Sequence, residues 1–537
     1  AEWLDADLVT SDWRPVPLKE GVYSGGEVFF TDNSRKRLGA DDNPVNAIVR
    51  DTIASGGQCL VFVNSRKSSE SQASALGPLV KRMIPGRLDA LARTADRLVG
   101  EQDEPTTMGA RLGKCIRSGC AFHHAGLTSA QRRTVEGSFR SGQLGCIVAT
   151  PTLAAGINLP ARTVIVRDVR RYDSEMGFTS IPVLEVKQMC GRAGRPRFDP
   201  YGEAVLIARD EEERSLLMDT YLLGENEDIT SKLGTEPAMR SHVLALIATK
   251  DANSLEELEA FFGKTFLAHQ TDVHYLGDMI ESIVGFLKAE EMVADAEGLR
   301  ATPFGRRVSD LYIDPLSAVV LRDALKRYEP GRQFGIVHAV CSAPDMPLLY
   351  LRRSDSEWVE EYLDEVRGRL LVDPPDDLEQ YEIFLSTLKT AKMVDDWMSE
   401  VHENDIASSF GIGPGDIRNK IELVEWLLHS SARLSELFNA DATAECHEAV
   451  TRVRYGIRPE LLELVKLKGL GRIRARALFS RGIKGLEDLR NTSYDRLKQI
   501  PTIGEAVARS VKDQLGQTDP TMPVEPEDGQ RSLAEFR

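Results

Sequence analysis

Short apolar runs that alternate with helical patterns between residues 45 and 208 restrict the fold of this 537-residue chain more than any other feature. Leu60-Val-Phe-Val-Asn-Ser-Arg-Lys67 is an apolar run that ends in polar residues. It reads as a buried parallel strand with an exposed carboxyl end. Residues 129–139 carry a helical pattern. Gly145-Cys-Ile-Val-Ala-Thr-Pro-Thr-Leu-Ala-Ala-Gly-Ile-Asn-Leu-Pro160 then reads strand, turn, short helix, and Thr163–Val166 is another short β-branched strand. Alternation of this kind builds an open α/β sheet. Ligands of such sheets bind beyond the carboxyl ends of the strands.

Downstream, Gln188-Met-Cys-Gly-Arg-Ala-Gly-Arg195 puts Arg192 and Arg195 on a glycine-punctuated turn after the helix-like stretch 183–189. An arginine aimed at a transferring phosphoryl group stabilises transition-state charge and is worth roughly a thousandfold or more in rate. A lone G-R-x-G-R is also a common surface turn, and a lone histidine such as His123 is also a packed or capping residue. The order of motifs decides between these readings. Q-x-x-G-R-x-G-R resembles motif VI of superfamily II helicases. Residues 60–67 resemble motif IV, Phe122-His-His-Ala-Gly-Leu127 resembles motif IVa, and residues 145–160 resemble motif V. The series implies a RecA-like second helicase lobe.

A phosphate cradle of the form G-x-x-x-x-G-K-[ST] is absent from the sequence. Gly263-Lys-Thr265 would need a glycine where Leu258 stands, and Lys114 is followed by Cys115. There is no D-E-x-H or D-E-x-D box, and Asp210-Glu-Glu-Glu213 is a charged helix start. In the helicases it resembles, the first lobe carries both elements. Ala1-Glu-Trp-Leu-Asp5 begins without methionine or a signal peptide. The expectation is a fragment lacking the first lobe, inactive towards ATP by itself.

The length predicts roughly three to five domains. No apolar run approaches the length that crosses a bilayer. The seven cysteines form no C-x-x-C pair and read as reduced, buried thiols of a cytoplasmic protein, with no metal site. The net charge of −16 is unusual for a protein that meets nucleic acid, because an acidic surface repels phosphate. The basic residues are 48 arginines and 19 lysines, a bias that resembles proteins of high-salt cytoplasms. In such salt, long-range attraction is screened, and binding rests on stacking, hydrogen bonds and shape.

Six segments are expected: a lead-in over 1–44, the second lobe over 45–225, a winged helix over 226–308, a helical domain over 309–455, a helix–hairpin–helix domain over 456–516 and a disordered tail over 517–537. Val22–Phe30 reads as a hairpin around Gly25-Gly26. The segment 164–182 has two strand-like arms around a tip with Tyr172, Met176 and Phe178. It is either an ordinary loop or a wedge that unstacks bases, and the family resemblance favours the wedge. The winged helix lacks a basic recognition helix and reads as a spacer. Gly413-Pro-Gly-Asp416 breaks the chain and caps a helix over 417–438, where Arg418, Glu422 and Trp426 share a face. That face is either a stacking and charge platform or a core tryptophan beside a solvated arginine. A ratchet helix in related enzymes lines the DNA channel here, which favours the platform.

Residues 456–516 invert the charge, with 13 Lys and Arg against 7 Asp and Glu. Two h-x-G turns there resemble tandem helix–hairpin–helix elements. Gly469 and Gly471 would let backbone amides approach a phosphate at a helix amino end, with Arg472, Arg474 and Arg476 adding charge. The alternative is a purely structural helical hairpin. Gln530-Arg-Ser-Leu-Ala-Glu-Phe-Arg537 resembles a sliding-clamp-binding peptide, in which Gln530, Leu533 and Phe536 make the contacts.

This order resembles archaeal superfamily II DNA helicases of the Hjm type, kin to the helicase portion of DNA polymerase theta. The resemblance implies an ATP-dependent, Mg2+-requiring 3′–5′ helicase, acting as a monomer on single-stranded and forked DNA in repair of stalled forks. In that mechanism Gln188, Arg192 and Arg195 face the nucleotide, and Gly156 and Asn158 couple motif V to it. Asn64, Ser65, Arg66, His124 and Thr150 grip strand phosphates. Two rival readings are a Ski-type RNA helicase and a non-enzymatic DNA-binding, clamp-recruiting module.

Overall fold

The computed structural model describes residues 1–11, 13–38, 43–100, 105–153, 159–173, 177–295 and 297–517, with only the backbone at 172, 173, 177, 178 and 273. The strands of the lobe are β1 (Leu18–Ser24), β2 (Glu27–Phe30), β3 (Arg35–Arg37), β4 (Cys59–Phe62), β5 (Cys120–His123), β6 (Cys146–Ala149) and β7 (Thr163–Val166). A small pair, β8 (Arg170–Asp173) and β9 (Gly177–Ser180), precedes the last strand, β10 (Gly202–Ile207). Eight strands form one sheet in the order β3-β2-β1-β10-β7-β4-β6-β5. From β1 to β5 along that order every pairing is parallel. Every residue of β4, β5, β6 and β7 is buried, so the pleat has no solvent face and both sides carry helices. Gly25 and Gly26 have φ of 59° and 90°, the left-handed pair that a two-residue hairpin between β1 and β2 requires.

Part of the 164–182 segment departs from a free-standing hairpin. Its first arm, β7, belongs to the main sheet, and the exposed hairpin is the shorter β8–β9 ribbon, with Tyr172 opposite Phe178. The tip residues Ser174–Met176 lie outside the described residues. Arg171 anchors the ribbon base to Glu185 at 2.9 Å.

Beyond the lobe, helices Glu236–Thr249, Leu255–Phe262 and Val273–Ala289 precede the two-stranded wing β11 (Val293–Asp295) and β12 (Leu299–Ala301). Ser254 accepts from Glu257 N at 3.3 Å, while the Glu257 carboxylate reaches one residue further back, to Asn253 N at 2.8 Å. One apolar core runs unbroken from Met239 to Val453, so the winged helix and the helical bundle are packed as one body. Arg240 links the two through a buried bidentate pair with Asp314, at 3.1 and 2.9 Å. A separate core from Ile457 to Val511 holds the last helices. All seven cysteines are buried thiols.

Asp314→Ala leaves the Arg240 guanidinium, which is 7% exposed, with Glu236 as its one remaining carboxylate among the described residues. The expected loss of stability is about 3 kcal/mol, read as a lower denaturant midpoint for the shared core.

Candidate nucleotide and nucleic-acid interfaces

The parallel strands deliver two sets of polar residues to opposite edges of the sheet. At the carboxyl edge, β4 runs into Asn64 and Ser65. Asn64 N donates to Asp168 Oδ2 at 3.0 Å. Ser65 caps helix Arg66–Met83 by accepting from Ser68 N at 3.1 Å. Beside them, Thr150 follows β6, and its amide donates to His123 O at 3.2 Å. Arg66 pairs with Asp416 yet keeps 46% of its side chain exposed. These residues form a contiguous rim.

His124 sits differently from a strand-gripping residue: it is fully buried. Its Nδ1 accepts from Gly126 N at 3.1 Å, and its ring stacks on Phe122 at 5.4 Å. Burial pushes its pKa down to about 4, helped by Arg66 and His123 and opposed by Asp416. A neutral imidazole here shapes the loop that follows β5. His123 is also buried, 3.1 Å from Glu136, and burial pushes it down too.

At the amino edge, helix Val183–Cys190 ends in the Gly191–Arg195 turn. The turn is stitched to Ala161, two residues before β7, with Ala161 N donating to Arg192 O at 3.0 Å and Gly194 N to Ala161 O at 2.7 Å. Gly194 has φ of 97°, and a Cβ there would lie 2.7 Å from Val16. The second glycine of the motif is thus demanded by backbone and space together. Gln188 is exposed. Arg192 lines an open cleft of about 200 Å³ with Arg14, a residue with no motif to mark it in the sequence. Arg14 also donates to Gly191 O at 3.2 Å.

Arg195 is clamped within its own lobe. Its guanidinium makes two 2.8 Å bonds to Asp199 and a 2.6 Å bond to Gln58. Burial raises the Asp199 carboxyl, but the bonds from Arg195 outweigh it and hold the group below the usual range. Arg195 and the 79% exposed Phe198 line a second cleft of about 630 Å³. Pro160 and Pro196 border both clefts, so the two adjoin. Gly156 and Asn158 lie outside the described residues.

In the bundle, helix Pro414–Phe438 begins with Asp416 accepting from Gly413 N at 2.9 Å. Trp426 is half-buried and donates from Nε1 to Leu311 O at 3.3 Å, so only part of its ring is available for stacking. Arg418 is exposed but lies over the buried Trp397 ring at 4.6 Å, with Glu403 at 3.7 Å. Asn419, Glu422 and His429 share the open stripe with Trp426 at helical spacing. Asn419 and His429 were not singled out from sequence, since neither residue type announces a contact.

The terminal hairpins divide the arginines among structural tasks. Arg472 is 9% exposed and also lies over the Trp397 ring, at 4.5 Å. Arg476 binds Glu400 at 2.6 Å and Glu460 at 2.8 Å. Arg474 ties the two turns together through Gly469 O at 2.9 Å and Thr502 O at 3.0 Å. A Cβ on Gly469, Gly471 or Gly504 would meet nothing within 4 Å, so the backbone of both turns faces open space. Gln530, Leu533 and Phe536 lie outside the described residues, and for Tyr172 and Phe178 only the strand backbone is described.

The buried neutral His124 has a sign-definite consequence. Its pKa is lower folded than unfolded, so the unfolded chain takes up the proton first as pH falls. Stability should fall from pH 6.5 towards 4 with a contribution of about 1.4 kcal/mol per pH unit from this residue. His124→Gln should remove that share of the slope, measured by denaturant unfolding across the range.

Comparison with known proteins gives matches in the same order as the architecture. The helicase conserved C-terminal domain matches residues 106–197, and a helix-turn-helix domain matches 202–294. The archaeal helicase domain 4 matches 334–456, and the SAM-like helix-hairpin-helix tandem matches 461–517. The ATP-dependent DNA helicase Hel308 of Methanocella arvoryzae is 44% identical, over 100% of this chain and 74% of its own length. Proteins of the same name from Pyrobaculum calidifontis and Pyrococcus abyssi are each 40% identical over 96% of this chain, and over 72% and 71% of their own lengths. With likeness of this extent and the same sequence of domains, the chain belongs to the Hel308 family of archaeal superfamily II DNA helicases.

Proposed function

We propose that this chain forms the second lobe and strand-handling domains of an ATP-dependent DNA helicase that moves 3′ to 5′ and remodels stalled or branched forks. The observation that carries the reading is the placement of two polar edges on one rigid sheet. One edge holds Arg192 and Arg14 in an open cleft beside the exposed Gln188. The other holds the rim of Asn64, Ser65, Arg66 and Thr150. The relatives' shared name supplies the reaction: ATP-dependent unwinding of DNA.

In this reading Arg192 is the arginine aimed at the phosphates. Arg195 acts through Asp199 and Gln58 as the brace of the turn. ATP with Mg2+ supplies the driving hydrolysis from a phosphate cradle that this sequence does not contain. The rim grips strand phosphates, and the stripe with Trp426 and His429 rests against bases. The β8–β9 ribbon is the wedge, and the backbone of the Gly469 and Gly504 turns holds phosphates of the strand beyond. The tail from Gln530 to Phe536 recruits a sliding clamp. By itself the chain binds single strands and leaves ATP intact.

Joined to a lobe bearing the phosphate cradle, the protein should hydrolyse ATP faster with single-stranded DNA than without it, and show no response to RNA. Arg192→Ala should cut that turnover by roughly a thousandfold while single-strand affinity stays within a factor of three. Stimulation by RNA alone would move the assignment to the Ski-type RNA helicases.

A further inference from the structure

The lobe, the helical bundle and the terminal hairpins meet around a cavity of about 300 Å³. We propose that this cavity binds a phosphoryl oxyanion. Four guanidinium groups line it, from Arg418, Arg454, Arg472 and Arg474, against the single carboxylate of Glu403. Glu403 stands 3.7 Å from Arg418, and Arg454 is balanced by Glu425 at 2.7 Å just outside. The lining thus carries a net positive charge inside a chain of net charge −16.

Two helices begin at the cavity wall. Thr128 caps helix Ser129–Arg140, and Gly471 stands at the start of helix Arg472–Phe479. Their amino ends add partial positive charge. These features are common on protein surfaces and do not by themselves make a site.

Gln131 is the independent observation. Its side chain lines the cavity and the residue is 2% exposed. Oε1 is committed, because it accepts from Thr128 N at 3.0 Å in the capping box. That bond fixes the orientation of the amide, since only the oxygen can accept from a backbone N–H. Nε2 is left as a buried donor without a partner among the described residues. A buried donor left unmet is costly. An acceptor ligand satisfies it, and four arginines against one carboxylate favour an anion as that acceptor. A phosphoryl group fits both demands, having several acceptor oxygens and full negative charge at neutral pH.

The phosphoryl group comes either from the backbone of a bound single strand or from free phosphate. The first source rests on the DNA reading above; the second does not. Gln131→Glu separates the effects of fold and ligand. Glutamate keeps the capping oxygen, so the helix start is preserved, but it replaces the buried donor with a negative acceptor. Thermal unfolding of the 537-residue chain is measured in potassium phosphate and in potassium chloride at equal ionic strength. Arg418→Gln, at an exposed cavity-wall residue, is the second variant.

Phosphate should raise the wild-type midpoint saturably and leave both variants unmoved. Affinity for an oligo-dT single strand is then followed against salt. If the strand supplies the phosphoryl group, Gln131→Glu should flatten the slope of log K against log salt by about 0.7, the loss of one phosphate contact. A phosphate effect with an unchanged slope assigns the site to free phosphate. A wild type that responds to phosphate but binds no DNA retains the site and defeats the helicase reading. Equal responses of the wild type and Gln131→Glu to both phosphate and DNA would overturn the proposal.

Discussion

The lobe and the helical bundle touch backbone to backbone. Gly415 N donates to Gly126 O at 2.8 Å. A Cβ on Gly415 would lie 2.4 Å from the carbonyl oxygens of Ala125 and Leu127, and one on Gly413 would lie 2.9 Å from Gly126 O. With no side chain between them, the loop after β5 and the start of the Pro414–Phe438 helix interlock and have no room to slide. Asp416 reinforces the joint, since one carboxylate both caps its own helix and pairs with Arg66. Asn404 makes a second tie, accepting from Thr107 N at 2.8 Å and donating to Pro105 O at 3.3 Å. The polar rim at the carboxyl edge of the lobe and the open stripe of the long helix therefore share one frame. A force on the amino edge of the sheet is transmitted to both together.

That joint explains the burial of His124. The loop Ala125-Gly126-Leu127 must present its carbonyls to the incoming glycines, and the imidazole holds the Gly126 amide from behind. Charging the ring would desolvate a buried cation beside Arg66. The same motif that resembles a DNA-contact element is thus also the seat of the neighbouring domain. Both demands fall on the same six residues.

The sheet, the winged helix and the capped long helix were legible because each rests on local pattern. Strands buried on both faces show as unbroken apolar runs, and helix starts show as Ser254 or Asp416 at a fixed distance from the amide they serve. Partner choice is not local. Gln58 and Asp199 lie 137 and 4 residues from Arg195, and nothing in the G-R-x-G-R turn marks which arginine Asp199 and Gln58 clamp. Trp397 drew no notice in the sequence, yet it is the buried plate on which Arg418 and Arg472 stack from two different domains. Its indole N–H is satisfied by Val453 O at 2.7 Å, so the ring is fixed before either arginine arrives. Gln131 stands in the sequence only as one residue of the helical pattern over 129–139, and its place at the cavity depends on walls contributed by residues some 300 positions away.

An arginine-rich, acidic chain reads at first as a poor ligand for phosphate, but the charge is not spread evenly in three dimensions. Many guanidinium groups are spent inside the protein: Arg195 on Asp199, Arg240 on Asp314, Arg322 on Glu290 and Arg476 on Glu400. Guanidinium suits this work because its planar fork makes two parallel bonds to a carboxylate and keeps its charge when desolvated. Arg66 and Arg418 differ, keeping 46% and 47% of their side chains open while one edge is held by an acidic partner. An arginine oriented in this way loses less freedom on meeting a phosphate than a solvated lysine does. Short-range contacts of this kind do not depend on net charge, which reconciles a strongly acidic polypeptide with a polyanionic ligand.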